Sequence, residues 1–349
     1  MSTNKIKHHF VPQSYLKRFC RNGESLFVYD KFDRKIFEAN RRNIAQERYF
    51  YNLAEEFVTD EMKSQGYTRQ IIEDAFTKIE DQLKHYLDGF LKRPRFTLRN
   101  YGTRFEIAQL IVIQILRTRE SRDALIETET KIRQKQFHDY LRENRPDIPE
   151  DDYLDLELNQ EHASLFHAQY IFNVDELESR GKDLCKLIWM AADNRTSKLL
   201  YTSDQPVVKQ TMSSVLGSGD RKYYSLRMFY PITPTKGILI FDREYYRTLE
   251  QFDGEVFVLS ESDIATFNRQ QVIQSNRQVY SLDDDFTIAK ETCDSMPEIC
   301  SPTIEKASVD FYYEKVSETK AEEIIVVQSV KTKKTKWKPP TSGGLGQSA

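Results

Sequence analysis

The stretch HHFVPQSYLKRF, from His8 to Phe19, is the segment around which the rest of the sequence is organised. It joins two adjacent imidazoles and a proline to the start of an aromatic, amphipathic helix. Ser14 can cap this helix, and Tyr15, Leu16 and Phe19 fall on one side of it. The pattern predicts a short helix, packed through its apolar side, directly after the two histidines.

The residues that follow predict a hairpin and then long helices. Two short strands, Leu26–Tyr29 and Lys35–Ala39, flank a charged turn. Apolar residues recur at helical spacing from Thr68 to Leu91, and Pro94 stops that helix. A second helix is predicted from Gly102 to Glu143. Its first half is apolar and belongs in the core, whereas its second half is charged and belongs in solvent.

The second half of the chain predicts two more helices and then mostly strands. The helices are expected at Gln160–Phe172 and Val174–Ala192, and a later one at Glu261–Tyr280 is capped by Ser260. The predicted strands are Lys198–Thr202, Ser225–Tyr230, Gly237–Phe241, Glu255–Leu259 and a weaker Glu323–Val330. Together these elements predict an α+β fold in which long antiparallel helices pack on a mainly antiparallel sheet.

Length and composition bound the organisation of the chain. Its 349 residues suffice for one large domain or two of ordinary size. We predict one α+β domain over residues 1–285, a peripheral extension over 286–330, and a basic tail over 331–349 that cannot order itself. The 51 basic and 54 acidic residues nearly balance, so the whole molecule carries no strong field for a polyanion.

Cysteine spacing and apolar runs bear on the cellular compartment. The four cysteines show no CxxC spacing, which argues against a zinc ribbon or a redox dithiol and suggests reduced thiols. No apolar segment follows the first residues, so no secretory signal is evident. The longest apolar run, Leu110–Leu116, is far below the roughly 20 residues that span a bilayer. We therefore expect a cytoplasmic protein with no membrane partner.

Several separated segments resemble one known family. The segments HHFVPQSYLKRF, NIAQERYFYNL, IVIQILRTRESR, LLYTSDQPVV and YPITPTKGILI look like successive blocks of the family catalogued as domain of unknown function 4238. They occur in the same order, and the resemblance runs from Ile6 to Leu282. No activity is assigned to that family, so the resemblance implies membership without implying a reaction.

The two histidines are the first candidate site. HHFVP also resembles the HHxxP at the histidine strand of some HNH-type nucleases, where one imidazole activates water and its neighbour helps to hold a divalent cation. This resemblance implies catalytic roles for His8 and His9 and metal ligation by His9, with Asn43 and Glu47 as substitutes at the next turn. The alternative is that the histidines only orient the opening segment against the core.

A polar stripe on the second long helix is the next candidate. Gln114, Arg117 and Arg122 can clamp a phosphate or carboxylate, so we predict that they bind substrate. The alternative is that Arg117 forms a salt bridge with Glu73 or Glu80 on the preceding helix.

Asp204 is the third candidate. It lies at the end of an apolar strand, just before Pro206, where the chain must leave the sheet. Side chains at strand ends are well placed for a site, and Asp204 can act there as a metal ligand or a general base. The alternative is a turn in which the carboxylate bonds to nearby backbone.

These candidates together predict a reaction class. If His8 or His9, Asp204 and the stripe with Gln114 and Arg117 share one cleft, they supply the groups of a divalent-metal phosphodiesterase or nuclease. Mg²⁺ or Mn²⁺ would be its cofactor, nucleic acid its partner and bacterial antiviral defence its setting. Two alternatives stay open. One is a non-enzymatic interaction or sensor module, with a protein partner encoded by a neighbouring gene. The other is a nucleotide or small-molecule binding domain.

Overall fold

The computed structural model describes residues 7–156, 160–214, 223–302, 307–315 and 321–329. The chain divides into two compact units. The first comprises Met1–Arg122 and Leu158–Pro302, and the second comprises Asp123–Glu157 and Thr303–Ala349. Helices and antiparallel strands occur together, which confirms the predicted α+β class. The predicted basic tail, 331–349, lies outside the described residues.

The bounds of the regular elements are as follows. The helices of the described residues are α1 (Gln13–Leu16), α2 (Asp60–Ser64), α3 (Ile71–Lys92), α4 (Pro94–Arg99), α5 (Tyr101–Leu116), α6 (Arg119–Asn144), α7 (Gln160–Ile171), α8 (Val174–Lys186), α9 (Glu261–Gln274) and α10 (Thr287–Ser295). The strands are β1 (Lys7–His9), β2 (Ser25–Asp30), β3 (Lys35–Asn40), β4 (Gln46–Arg48), β5 (Ile188–Asn194), β6 (Thr202–Ser203), β7 (Val208–Ser214), β8 (Tyr223–Thr233), β9 (Lys236–Phe241), β10 (Val256–Leu259), β11 (Gln278–Ser281), β12 (Ala307–Lys315) and β13 (Ala321–Ser329).

The strands of the first unit form three sheets. A five-stranded sheet has the order β10-β5-β9-β8-β7, a four-stranded sheet has the order β3-β2-β11-β6, and β1 pairs with β4. Every pairing among them is antiparallel except that of β10 with β5. In the second unit, β12 pairs with β13 in an antiparallel hairpin. None of the helices in the described residues combines the length and apolar character that crossing a membrane requires.

The opening segment lies in the core of the first unit. Val11, Leu16 and Phe19 have no exposed surface, and Tyr15 is almost fully buried. The Tyr15 hydroxyl donates to the carbonyl of Pro231, at 2.6 Å, and lies 2.8 Å from the hydroxyl of Thr202. Pro231 belongs to the five-stranded sheet and Thr202 to the four-stranded sheet. One side chain of α1 therefore joins both sheets.

The predicted helix 102–143 is wrong in one respect, because it is interrupted. α5 ends at Leu116 and α6 begins at Arg119. The Thr118 hydroxyl donates to the carbonyl of Ile115, at 3.0 Å, and the Ser121 hydroxyl donates to the same carbonyl, at 2.7 Å. These side chains compete with backbone donors for a helical carbonyl, which explains the break.

The predicted helix 174–192 and strand 198–202 are also wrong in part. α8 ends at Lys186, and the apolar residues after it form β5. Trp189 and Ala191 belong to one core cluster, whereas Ile188, Met190 and Ala192 belong to another, so the strand is apolar on both faces. Of the predicted strand only its last residue enters β6. The Asn268 side chain accepts from the Tyr201 N–H and donates to the Leu199 carbonyl, both at 2.8 Å, and so replaces a strand partner.

The predicted hairpin is confirmed by β2 and β3, and the late helix is confirmed only as far as Gln274. The helix was expected to reach Tyr280, but residues 278–281 form β11. This strand lies in the middle of the four-stranded sheet, between β2 and β6. Sheet pairing with strands distant in sequence overrides the local helical pattern here.

We expect Tyr15→Phe to lower the free energy of unfolding by about 1–3 kcal/mol, because buried partners of the lost hydroxyl stay unsatisfied. Urea denaturation monitored by circular dichroism measures this change. Tyr101→Phe is the matched control, since Tyr101 is 62% exposed, and it should unfold like the parent. Equal stability of the two variants would contradict the role assigned to Tyr15.

Candidate functional site

The β1–β4 pairing turns the two histidines to opposite sides. His8 lies opposite Glu47, and His9 lies opposite Gln46. Successive side chains on a strand alternate between faces, so His8 points into the core, where it is fully buried, while His9 remains partly exposed. Only His9 is therefore placed to meet a molecule in solution.

His8 is held by the backbone and by an aromatic ring. Its Nδ1 accepts the N–H of Tyr51 at 2.9 Å, and its ring stacks on the Tyr51 ring with centroids 5.9 Å apart. An Nδ1 that accepts a hydrogen bond carries a lone pair rather than a proton. These contacts are the ones that the orienting alternative predicted for His8.

His9 carries an uncharged imidazole at neutral pH. Burial, together with the charges of Arg117 and Lys7, lowers its pKa to about 4, although the contact with the Arg42 carbonyl opposes the shift. The ring Nε2 lies 3.3 Å from that carbonyl oxygen. A neutral imidazole is the form that accepts a proton or binds a metal.

The side chains around His9 are polar, and the charged groups that act on it, Arg117, Lys7 and Arg41, are basic. We define the His9 face as Lys7, His9, Asn43 and Gln46. Lys7 Nζ donates to Asn43 Oδ1 at 3.1 Å. Arg42 contacts His9 through its backbone carbonyl, whereas its guanidinium lies 3.9 Å from the Glu24 carboxylate. Gln46 follows from the strand register, in which it lies opposite His9. This face carries positive charge, which suits an anionic ligand.

Glu47 does not belong to the His9 face. It lies opposite His8 in the register, and its carboxylate is 3.6 Å from the guanidinium of Arg119 at the start of α6. Cross-strand partners point to the same side of a ladder. The structure thus places Asn43 beside His9, as the sequence suggested, and Glu47 on the other side of the strand.

Gln114 and Arg117 contact the backbone of the opening segment. Arg117 donates to the His9 carbonyl, at 2.5 Å, and to Glu80 Oε1, at 3.1 Å. Gln114 Nε2 lies 3.4 Å from the carbonyl of Phe10. Both side chains are about 1% exposed. The salt bridge to Glu80 is the alternative that the sequence left open for Arg117.

Arg122 is buried in an aromatic environment. Its guanidinium lies 4.3 Å from the centroid of the Phe50 ring and donates to the Ser164 hydroxyl at 3.2 Å. Arg117 lies in a similar way over Phe76, also at 4.3 Å. Aromatic faces stabilise desolvated cations, so these contacts help to offset the cost of burial.

His167 also belongs to the cluster of Tyr51, Arg117 and Arg122, although it was not among the predicted site residues. Its Nε2 lies 2.8 Å from the Leu116 carbonyl, and its ring stacks on Tyr51 with centroids 6.1 Å apart. Burial, together with the charges of Arg122 and Arg117, lowers its pKa to about 3, although the contact with the Leu116 carbonyl opposes the shift. The available signal was the aromatic segment NIAQERYFYNL, which contains Tyr51. Its rings predict a packing surface, and His167 stacks on one of them.

Asp204 bonds to the backbone between α9 and β11. Its carboxylate accepts the N–H groups of Asn276, Arg277 and Gln278 at 2.7, 2.8 and 2.9 Å. The side chain is only 5% exposed. Burial raises the pKa of Asp204, whereas the three N–H donors and Lys31 oppose the shift. These partners are 72–74 residues away in sequence, so the carboxylate does not form the local turn that was the alternative for Asp204. Ser203 forms such a turn instead, because its hydroxyl accepts the Gln205 N–H at 3.1 Å.

The structure brings some of the predicted site residues together. Gln114 and Arg117 contact the backbone of the opening segment, and Arg122 is buried against Phe50 and Ser164. In the described part of the chain no hydrogen bond or ion pair joins Asp204 to His9. Nor do the described residues contain a group of three or more His, Cys, Asp or Glu side chains arranged to hold a metal ion.

Comparison with known proteins identifies the family. The family model described as "Protein of unknown function (DUF4238)" matches residues 7–285. The chain belongs to the DUF4238 family. The predicted resemblance is thereby confirmed, and the match includes every candidate residue considered above. No curated protein and no solved structure matches the chain.

The DUF4238 region begins at β1 and ends just before α10. Its blocks meet in space although they are far apart in sequence. The opening block contacts the Tyr51 block through His8 and the α5 block through the His9 carbonyl. The buried polar residues of the family region are thus used largely to hold its own backbone.

We expect Asp204→Asn to lower the free energy of unfolding by about 2–3 kcal/mol in metal-free buffer, because buried N–H groups lose a charged acceptor. Urea denaturation in the presence of a chelator measures the change. The control is Asp183→Asn, which removes an exposed carboxylate paired with Lys186 and should cost less than about 0.5 kcal/mol. A D204N protein as stable as this control would show that the contacts of Asp204 with the backbone after α9 do not stabilise the fold.

We expect the free energy of unfolding to fall by about 1.5 kcal/mol from pH 6.5 to pH 5 through His167 alone. Its folded pKa of about 3 lies below the usual value of 6.5, so the unfolded chain binds the proton first and acid favours unfolding. Denaturation at several pH values tests this prediction. His167→Gln should flatten the dependence by that amount, and the exposed His85→Gln control should not.

Proposed function

We propose that this DUF4238 protein is a divalent-metal-dependent phosphodiesterase or nuclease and that the His9 face is its reactive surface. One observation carries the proposal. An uncharged, solvent-accessible imidazole lies among basic side chains, with Lys7 and Arg41 close enough to lower its pKa. Phosphodiesters are anionic, and their hydrolysis needs a proton acceptor beside the phosphate.

Each group of the His9 face has a role in this proposal. Lys7 attracts and orients the phosphate through its charge. His9 accepts the proton of the attacking water. Arg117 is a positioning residue, since it contacts the His9 carbonyl rather than the solvent-facing ring. Asp204 keeps the α9–β11 turn in place and is not required as a ligand.

A divalent cation fits this face only if water and the substrate phosphate supply most of its ligands. Mg²⁺ is commonly bound by one or two protein groups, by water and by the phosphates of the substrate. The Asn43 amide oxygen is the protein group that this face offers, because a neutral imidazole has a single lone pair and His9 uses it to accept the proton. A cation bound there would stabilise the charge that develops on the phosphate. Mg²⁺ or Mn²⁺ is therefore the cofactor in this proposal. We also propose bacterial antiviral defence as the biological setting.

A non-enzymatic interaction module is the second candidate. It is favoured by the contacts of His8, Asp204 and Gln114, whose polar atoms bond to backbone groups rather than facing solvent. In that case the basic His9 face would bind nucleic acid or a protein encoded by a neighbouring gene without turnover.

The test incubates the purified protein with Mg²⁺ or Mn²⁺ and with RNA, single-stranded DNA and duplex DNA. We expect cleavage of at least one of these, and a loss of about 100-fold or more in His9→Ala, because a positioned proton acceptor contributes that much. His85→Ala is the matched control, since His85 is exposed on α3.

Binding is measured beside cleavage in the same samples. If His9→Ala stays folded, binds nucleic acid like the parent and fails to cleave it, His9 acts in the reaction. Binding without cleavage by the parent would favour the interaction module. Full cleavage by His9→Ala would remove His9 from the proposed mechanism.

A further inference from the structure

Two cysteines beyond the family match lie against each other. Cys293 is on α10 and has no exposed surface, whereas Cys300 ends the short 3-10 helix Pro297–Cys300 and is partly exposed. Cys300 Sγ lies 3.9 Å from the Cys293 carbonyl oxygen, and the two thiols are hydrogen-bonded to each other. The two cysteines are seven residues apart in sequence, and the chain between them runs from the end of α10 directly into the short 3-10 helix.

The side chain of Arg34 fixes this arrangement from another element. Arg34 lies in the turn between β2 and β3, and its NH2 group donates to the Cys293 carbonyl at 2.9 Å and to Cys300 Sγ at 3.7 Å. Its NH1 group pairs with Asp294. One guanidinium thus holds both cysteines and presents a cationic donor to the more exposed sulfur.

The two sulfurs differ in access and in chemistry. Burial and the contact with Cys300 raise the pKa of the Cys293 thiol, and the Tyr29 hydroxyl bonds to it from the opposite side. A reagent from solution therefore reaches Cys300 first, and Cys293 is the neighbour able to react with whatever forms there. This order of access is typical of an oxidation-sensitive thiol next to a resolving thiol.

We propose that Cys293 and Cys300 are a peroxide-sensitive pair that closes reversibly to a disulfide. In the first step the Cys300 sulfur attacks hydrogen peroxide, breaks the O–O bond and becomes a sulfenic acid, and one water is released. In the second step the Cys293 sulfur attacks the Cys300 sulfur, the S–O bond breaks, the S–S bond forms and a second water leaves. Two thiols are oxidised and one peroxide is reduced to two waters.

The remaining cysteines provide an internal comparison. Cys20 donates to the Leu16 carbonyl at 3.2 Å, and Cys185 is buried on α8. Both are single thiols among the described residues. The proposal does not depend on the His9 face, so it stands or falls independently of the proposed phosphodiesterase activity.

The test treats the full-length, reduced protein with hydrogen peroxide, removes the peroxide, unfolds the protein in urea that contains N-ethylmaleimide so that buried free thiols are also blocked, and maps peptides without reduction. Both cysteines fall in one tryptic peptide, residues 291–306. We expect this peptide to lose two hydrogens and to carry no maleimide, and dithiothreitol should restore both labelling sites. The peptides with Cys20 and Cys185 should be labelled before and after oxidation.

Single variants separate the two steps. In Cys293→Ser the sulfenic acid on Cys300 should persist and react with dimedone, whereas Cys300→Ser should give neither product. Unchanged labelling of both cysteines in the oxidised parent would overturn the proposal. Conversion of Cys300 to a sulfinic acid while Cys293 stays labelled would overturn it as well, because the second step would then be absent.

Discussion

The contact between the Arg117 guanidinium and the His9 carbonyl is the interaction on which the first unit depends most. A buried cation is costly unless it is paired, and Arg117 meets this requirement through Glu80, the Phe76 ring and the opening backbone. Removal of Glu80 would leave the Arg117 cation buried without its charge partner, at a cost of about 3–5 kcal/mol. The reverse change would cost less, because the Glu80 side chain is 22% exposed. The opening segment is thereby tied to α5 and α3 at one point.

Contacts of the same kind join segments of the family region that are widely separated in sequence. Each block supplies one half of a contact whose other half lies in a distant block. His8 needs the Tyr51 backbone, the His9 carbonyl needs Arg117, and Asp204 needs the N–H groups that follow α9. These residues specify which elements meet, because a buried polar group without its partner would cost about 1–3 kcal/mol.

The spacing of apolar residues predicted those elements whose structure depends mainly on neighbouring residues. The β2–β3 hairpin and α3 follow from alternation and helical spacing, and the α+β class follows from them. The end of α9 and the strand β5 were missed because pairing with distant strands sets them, and no window of neighbouring residues contains that information. For the site, the sequence singled out Arg117 and Asp204, and both are buried polar groups with several partners. Glu80 was one of the partners expected for Arg117. The His9 carbonyl and the N–H groups after α9 could not be predicted as partners, nor could His167, because these contacts join segments far apart in sequence.

This use of polar groups narrows where chemistry can occur. Backbone groups are partners of four predicted polar side chains, namely His8, Gln114, Arg117 and Asp204. Because these four are buried, the partly exposed His9 remains as the candidate that faces solvent. A pKa of about 4 makes it a weak proton acceptor in the free protein. A bound phosphodiester would bring negative charge to the same face and offset the effect of Lys7, Arg41 and Arg117, which raises the pKa of His9. In the proposed reaction the substrate itself would therefore make His9 a stronger base, and the imidazole would become reactive only when a phosphate is in place.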